Sequence, residues 1–272
     1  MTTVALTQNH MKSSLESQPE EALLRVDELS IRFGGIIALN KVSFDVPRRK
    51  ICGLIGPNGA GKTTLFNCIS RIYAASSGRI LFDGKDLLST PPHRMAEIGI
   101  GRTFQNVALF KTMSVLENIM VGAHSWRTTG YIANAFRLPA VRREERRVLE
   151  HSLELANLVG LQNHLDIRVE DLPFGFQKRV ELARSLASSP KLLLLDEPAA
   201  GLNHEEVNAL GDLIRRVVAD LQLSVLLVEH HMSLVMGVSD KVVALNFGQV
   251  IADGTPAATQ NHPEVIRAYL GD

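Results

Sequence analysis

Apolar and polar residues change rhythm along this chain. From Leu23 to Phe33 the two classes mix, and Val42, Phe44 and Val46 alternate with polar neighbours, the period-two pattern of a strand with one buried face. Gly34-Gly35 supplies a turn between these stretches, and Arg79-Ile80-Leu81-Phe82 followed by Asp83-Gly84 predicts another strand and turn. Together they read as an antiparallel β-layer. Ile51-Cys52-Gly53-Leu54-Ile55, Lys191-Leu192-Leu193-Leu194-Leu195 and Ser224-Val225-Leu226-Leu227-Val228 are different: they are continuous apolar runs, as parallel strands covered on both faces require. Glu205 to Leu221 predicts the helix connecting the last two, and Lys241 to Leu245 and Gln249 to Ala252 flank Asn246-Phe247-Gly248 as a hairpin. Between these two regions the pattern is helical. Ser114-Val115-Leu116-Glu117 has capping-box form before an apolar helix ending near Gly122. Arg142-Arg143-Glu144-Glu145-Arg146-Arg147 opens a long amphipathic helix through Leu149, Leu153, Leu155 and Leu158, its charge run forming a solvated face. Residues 1–22, with Ser13-Ser14, Gln18 and Pro19, show no apolar periodicity and are expected to be disordered.

Gly56-Pro57-Asn58-Gly59-Ala60-Gly61-Lys62-Thr63-Thr64 lies between a predicted strand and the helical run Leu65-Phe66-Asn67-Cys68-Ile69. This is the strand–loop–helix context of a phosphate-binding P-loop. Glycines let backbone N–H groups turn inward around an anion, and the helix that follows adds the positive end of its dipole. Lys62 can reach the β- and γ-phosphates of a nucleoside triphosphate, and the Thr63 hydroxyl can bind Mg²⁺. The fold class expected is therefore α/β: a P-loop core over residues 23–105 and 181–272, the antiparallel β-layer, and an inserted, mainly helical lobe over about 106–180.

Composition narrows the partners. Lys and Arg total 29 against 29 Asp and Glu, so no overall field draws the chain to nucleic acid or an anionic membrane. No stretch approaches the length of apolar sequence that spans a bilayer, and the polar N-terminus has no signal-peptide core. Cys52 and Cys68 fall in or beside the predicted core and suggest buried thiols in a reducing compartment, so a soluble, cytosolic chain is expected. His230-His231 is not read as a zinc pair, because adjacent residues of extended chain point opposite ways and no Cys/His cluster completes a site.

Asp196-Glu197 ends the leucine run. An aspartate at the carboxyl end of a buried parallel strand sits where such sheets bind ligands, and it can hold Mg²⁺ directly or through water. Glu197 beside it is placed to take a proton from attacking water.

These stretches resemble, in order and over about residues 23–272, the ATP-binding subunits of ABC transporters, whose core is RecA-like. Phe33 resembles the aromatic residue that stacks on adenine. Gln105, within Arg102-Thr103-Phe104-Gln105, resembles the glutamine that touches Mg²⁺ or water and couples to the membrane subunits. Leu172-Pro173-Phe174-Gly175-Phe176-Gln177 resembles the signature motif, Ala199-Ala200-Gly201-Leu202-Asn203 the D-loop, and Glu229-His230-His231 the switch, with His230 matching the histidine at the γ-phosphate. The resemblance implies catalytic roles for Glu197, His230, Lys62 and Gln105. It implies ATP contacts by Phe33, by Gly56 through Thr64, and by Leu172, Gly175 and Gln177, with Thr63, Gln105 and Asp196 around Mg²⁺. The signature departs from the usual Leu-Ser-Gly-Gly-Gln: Pro173 and Phe174 stand where serine and the first glycine are expected, which weakens the contact with ATP held by a partner subunit.

A narrower resemblance, to the branched-chain amino acid uptake group, rests on Ile55 to Thr64 with Phe66-Asn67, Gly101 to Asn106, Asp196 to Asn203, and the terminal Val265-Ile266-Arg267-Ala268-Tyr269-Leu270-Gly271. It implies an importer ATPase on the cytoplasmic face of the bacterial inner membrane. Its implied partners are two permease subunits, a second ATP-binding subunit (identical or homologous) and, indirectly, a solute-binding protein; no nucleic acid is implied. Relatives in that group import urea or amides, so that solute class stays open, as does a soluble ABC-type ATPase. A GTPase or small-molecule kinase is disfavoured: Asn40-Lys41-Val42-Ser43 is the nearest guanine-reading match and lacks the aspartate. A non-catalytic sensor conflicts with the presence of Glu197 and His230.

Overall fold

The computed structural model describes residues 22–103, 108–126 and 139–270. The expected disordered segment, apart from Ala22, and Gln105 lie outside the described residues. The chain opens with β1 (Ala22–Phe33) and β2 (Ile36–Pro47), joined at Gly34-Gly35 and paired antiparallel. Val42, Phe44 and Val46 are buried on one face of β2, as their alternation predicts. β3 (Ile51–Ile55) is buried throughout and leads through the P-loop into α1 (Lys62–Ile69). β4 (Ser77–Phe82) then pairs with β1 and turns at Asp83-Gly84 into the short β5 (Lys85–Asp86), completing a four-stranded antiparallel layer in the order β2-β1-β4-β5.

After a single helical turn, α2 (Met95–Ile98), comes the edge strand β6 (Ile100–Arg102), and then the helical lobe: α3 (Val115–Gly122), α4 (Pro139–Leu158) and α5 (Phe174–Leu186). Ser114 caps α3 as expected, its hydroxyl accepting from Glu117 N while Glu117 accepts from Ser114 N. The buried stripe of α4 is only partly the expected one. Leu155 is buried and Leu158 packs against the same core as expected, but Leu149 and Leu153 are 37% and 38% exposed, and Val141, Val148, Ser152 and Ala156 face inward. Ser152 tolerates that position because its hydroxyl donates to Val148 O at 2.7 Å, so no polar atom is buried unpaired. α5 runs unbroken across the expected lobe boundary at residue 180.

β7 (Leu192–Asp196), α6 (His204–Leu221), β8 (Ser224–Val228), α7 (Met232–Val238) and the hairpin β9 (Lys241–Asn246) and β10 (Gln249–Gly254) follow, and α8 (Pro256–Gln260) and α9 (Pro263–Leu270) close the chain. The second sheet has the order β10-β9-β3-β8-β7-β6, parallel except for the β9–β10 hairpin. Its apolar runs serve two cores. Leu193, Leu195, Val225 and Leu227 join the cluster of α3 to α6, while Leu192, Leu194, Leu226 and Val228 join that of α1 and the antiparallel layer. Alternate residues of each strand thus need apolar partners on both faces, which is why these runs are uninterrupted. Cys52 and Cys68 are free and buried, and burial pushes their thiols up to about 12 and about 11.

The two sheets are tied by charge as well as by packing. Asp83, at the β4–β5 turn, accepts from Lys191 before β7 and from Arg48 after β2. These two hydrogen bonds bring its carboxyl down to about 2 from 3.8. A folded value below the unfolded one means the stabilisation is present above the ordinary carboxylate range and is lost as pH falls through about 2. Lys191 is largely solvated, so the Asp83→Asn variant should lose on the order of 1 kcal/mol at neutral pH. That gap from wild type should close between pH 4 and 2, roughly, in urea unfolding measured across pH.

Candidate functional site

β3 delivers the chain to the P-loop through Gly56, whose φ is +151° and where a Cβ would meet Leu245 O at 2.2 Å. Gly61 is equally constrained, with φ +103° and Ala38 O at 2.8 Å from a Cβ position. The loop then enters α1, leaving Thr63 exposed on the first turn. Lys62 is only 6% exposed; its Nζ donates to Gly56 O at 2.6 Å and to Pro57 O at 3.1 Å. Burial lowers its pKa, and the nearby carboxylates of Glu197 and Asp196 act against that shift.

Asp196 ends β7 and is 4% exposed. Its Oδ2 accepts from Arg102 Nη2 at 3.0 Å, and Arg102 Nη1 also reaches Asn67 and Ser70 of the α1 segment. Burial raises the Asp196 pKa, with Arg102 as the principal opposing charge. Glu197, the next residue, has φ +48°, and its N–H donates to Val228 O at 2.9 Å. Such a φ is uncommon outside glycine, and here the turn aims the side chain across the sheet edge. Glu197 Oε1 lies 2.9 Å from His230 Nε2, the imidazole donating when Nε2 carries the proton.

Lys62, Thr63, Glu197 and His230 line one cavity of about 400 Å³ with the P-loop, Ile36, Ile37, Ala38 and Phe247. Phe33 is not among its lining residues. The Phe33 ring instead packs edge-on to Tyr73 at 5.2 Å, and the apolar wall is made by Ile36, Ile37, Ala38 and Phe247. Phe33 ends β1 before the turn, whereas Ile36 to Ala38 lie on the returning strand beside the P-loop.

The signature stretch lies elsewhere, at the start of α5. Pro173 is the N-cap, and its carbonyl accepts from Phe176 N at 3.0 Å and Gln177 N at 3.1 Å. Leu172, Gly175 and Gln177 are therefore not brought to the Lys62 cavity within one chain. Gln177 Nε2 turns back to donate to Leu172 O at 2.9 Å. The fifth motif position, counted from Leu172, is Phe176, whose ring lies tilted against that of His164, centroids 4.6 Å apart, and under the Arg179 guanidinium at 5.3 Å. Phe174 covers Gly201 of the D-loop, where a Cβ would meet the Phe174 ring at 2.9 Å.

Besides the apolar wall, two charged residues of this site were not singled out from the sequence. Arg102 pairs with Asp196 across β6 and β7; in the sequence it stands only as a neighbour within the Gln105 match. Glu229 is 1% exposed and accepts from Ala199 N at 2.6 Å, His230 N at 3.0 Å and His231 N at 3.4 Å. An acid directly after an apolar strand is the signal that would have marked it. It joins the turn after Asp196-Glu197 to the turn carrying His230.

A protein-family model described as ABC transporter matches residues 39–200, and one described as branched-chain amino acid ATP-binding cassette transporter matches residues 249–272. The chain is 43% identical to the high-affinity branched-chain amino acid transport ATP-binding protein BraF of Pseudomonas aeruginosa, over 92% of this chain and 98% of that protein. It is 42% identical to the corresponding protein LivG of Escherichia coli K12, over 94% of this chain and 99% of LivG. Among solved structures, the ADP conformation of MJ1267, an ATP-binding cassette of an ABC transporter, superposes with a TM-score of 0.80 at 30% identity, covering 93% of this chain and all of that one.

Replacing Glu229 by Gln keeps the shape but turns one acceptor into an NH₂ group facing backbone N–H. Glu229→Gln should cost about 1–3 kcal/mol in chemical denaturation, the penalty for buried donors left without an acceptor.

Proposed function

This chain belongs to the ATP-binding proteins of ABC transporters, in the branched-chain amino acid transport group, and on that premise we propose that it powers the import of branched-chain amino acids. It binds and hydrolyses ATP. The observation that carries the catalytic reading is the Glu197–His230 contact of 2.9 Å in the same cavity as Lys62.

The P-loop N–H groups and the N-terminus of α1 cradle the phosphates, and Lys62 moves its ammonium from the Gly56 and Pro57 carbonyls to the β- and γ-phosphate oxygens. Glu197 orients a water and takes its proton as the water oxygen bonds to the γ-phosphorus. The bond from γ-phosphorus to the β–γ bridging oxygen breaks, and ADP leaves with the electron pair. His230 holds Glu197 in place and reaches the γ-phosphate as its charge redistributes. The oxygen donors Thr63 and Asp196, with Gln105, suit Mg²⁺, a hard cation held by few protein ligands beside phosphate and water. When bound, the ion would offset phosphate charge. It would also favour the ionised form of Asp196 against the burial that raises its pKa. Ile36, Ile37, Ala38 and Phe247 supply apolar surface for the adenine, with Phe33 beside them.

Residues 23–272 act as one ATPase unit, the lobe over about 106–180 facing the membrane proteins. Gly175 and the N-terminal N–H groups of α5 contact ATP held by a second ATP-binding subunit, while Gln177 shapes the turn that presents them. ATP-driven closure of that pair is passed to two permease subunits through the lobe and Gln105, and a solute-binding protein delivers the amino acid outside. None of the helices among the described residues is long and apolar enough to cross a membrane. In this reading the chain is a peripheral subunit at the cytoplasmic face, as the group resemblance implies, and its two buried thiols suit a reducing compartment.

Glu197→Gln should lower ATP turnover at least about 100-fold, the range of a lost general base, with ATP affinity retained. Gel filtration with light scattering on the same variant should show an ATP-dependent shift to a dimer when its second subunit is supplied. Near-normal turnover would overturn the role given to Glu197.

A further inference from the structure

The segment matched by the group's own family model includes α9, and this helix reaches the P-loop. Tyr269 Oη accepts a hydrogen bond from Gly56 N at 2.7 Å. Four residues earlier on the same helix face, Val265 is buried in a cluster with Ile55, Val242 and Ala244. α9 thus holds two consecutive residues, Ile55 by packing and Gly56 by a hydrogen bond. The other end of Gly56 is also engaged, since its carbonyl accepts Lys62 Nζ at 2.6 Å. Beyond this contact, a cavity of about 440 Å³ lined by Pro57, Asn58, Phe247, Ile251 and Arg267 separates helix from loop. The phenol therefore bridges to the loop at a point rather than along a packed face.

We infer that Tyr269 is a positioning residue for nucleotide binding: its hydroxyl fixes the Gly56 N–H, and through Gly56 the placement of the P-loop and Lys62. Gly56 is buried, so its N–H needs an acceptor, and a phosphate-binding loop whose first amide is already fixed loses less freedom on taking the anion. Burial raises the Tyr269 pKa while the Gly56 hydrogen bond acts against that, which keeps the phenol neutral at physiological pH. The ring itself is partly exposed, so removing its oxygen leaves the packing nearly untouched. The inference rests on the ATP-binding reading of the P-loop.

The test is Tyr269→Phe in the full chain, measuring the Kd of a fluorescent ATP analogue by titration, with Lys62→Ala as the binding-deficient control. The expected result is a Kd raised about three- to tenfold, measured well below the unfolding transition, with a fall in melting temperature of no more than about 10 °C, the range that one buried donor left without its acceptor implies. Hydrogen exchange at the Gly56 amide should become faster. An unchanged Kd overturns the inference. A raised Kd accompanied by a larger fall in melting temperature assigns Tyr269 to folding instead, and also overturns it. Failure of the wild-type chain to bind the analogue overturns the proposed function first, and the inference with it.

Discussion

Parallel pairing around β3 is the constraint on which the site depends. β3 is hydrogen-bonded to β8 on one side and β9 on the other, and β7 lies beyond β8. Parallel strands release their chains at a common edge, where ligands bind in open α/β sheets. The register does the rest. Asp196 and Leu54 are both aligned with Val228, so the P-loop, Glu197 and Glu229-His230 leave the sheet at nearly the same level. A slip of one residue would turn Asp196 to the opposite face and break the constellation. The apolar runs on both faces penalise such a slip, because Leu192 and Leu193 belong to different cores.

Electrostatics at that edge is a balance between desolvation and pairing. Lys62, Asp196 and Glu229 are all nearly inaccessible, a position that disfavours the charged form unless hydrogen bonds or opposite charges compensate. Lys62 is compensated by two carbonyls and two nearby carboxylates, Asp196 by Arg102, and Glu229 by backbone N–H groups. Arg102 does more than neutralise. By bonding Asn67 and Ser70 as well as Asp196, it ties the end of α1 to β7 and so fixes the separation between P-loop and carboxylate.

The helical lobe is not an appendage to this sheet. Val115, Ile119, Val148 and Leu155 belong to the same apolar cluster as Leu193, Leu195 and Ile214. Gly122 makes the closest approach, since a Cβ there would meet Arg184 O at 2.0 Å. Movement of the lobe therefore strains packing shared with the sheet, the physical link that a transmission role needs.

Local pattern alone determined much of this protein. Continuous against alternating apolar runs separated the parallel core from the antiparallel layer, the Ser114–Glu117 spacing marked a helix start, and glycine spacing before Lys62 marked the P-loop. Each is legible because its cause lies within a few residues: periodicity, capping, or a positive φ. Tertiary structure decided what those rules do not reach. Leu149 and Leu153 face solvent because the neighbours of α4 select the adjacent stripe. Phe33 packs on Tyr73 because the position of a ring at a strand end depends on a segment forty residues away. Gln177 serves its own turn, since the nearest acceptor is the Leu172 carbonyl. The Arg102–Asp196, Glu229–Ala199 and Tyr269–Gly56 contacts join residues 94, 30 and 213 positions apart, distances over which sequence carries no geometry until the sheet has brought its strand ends together.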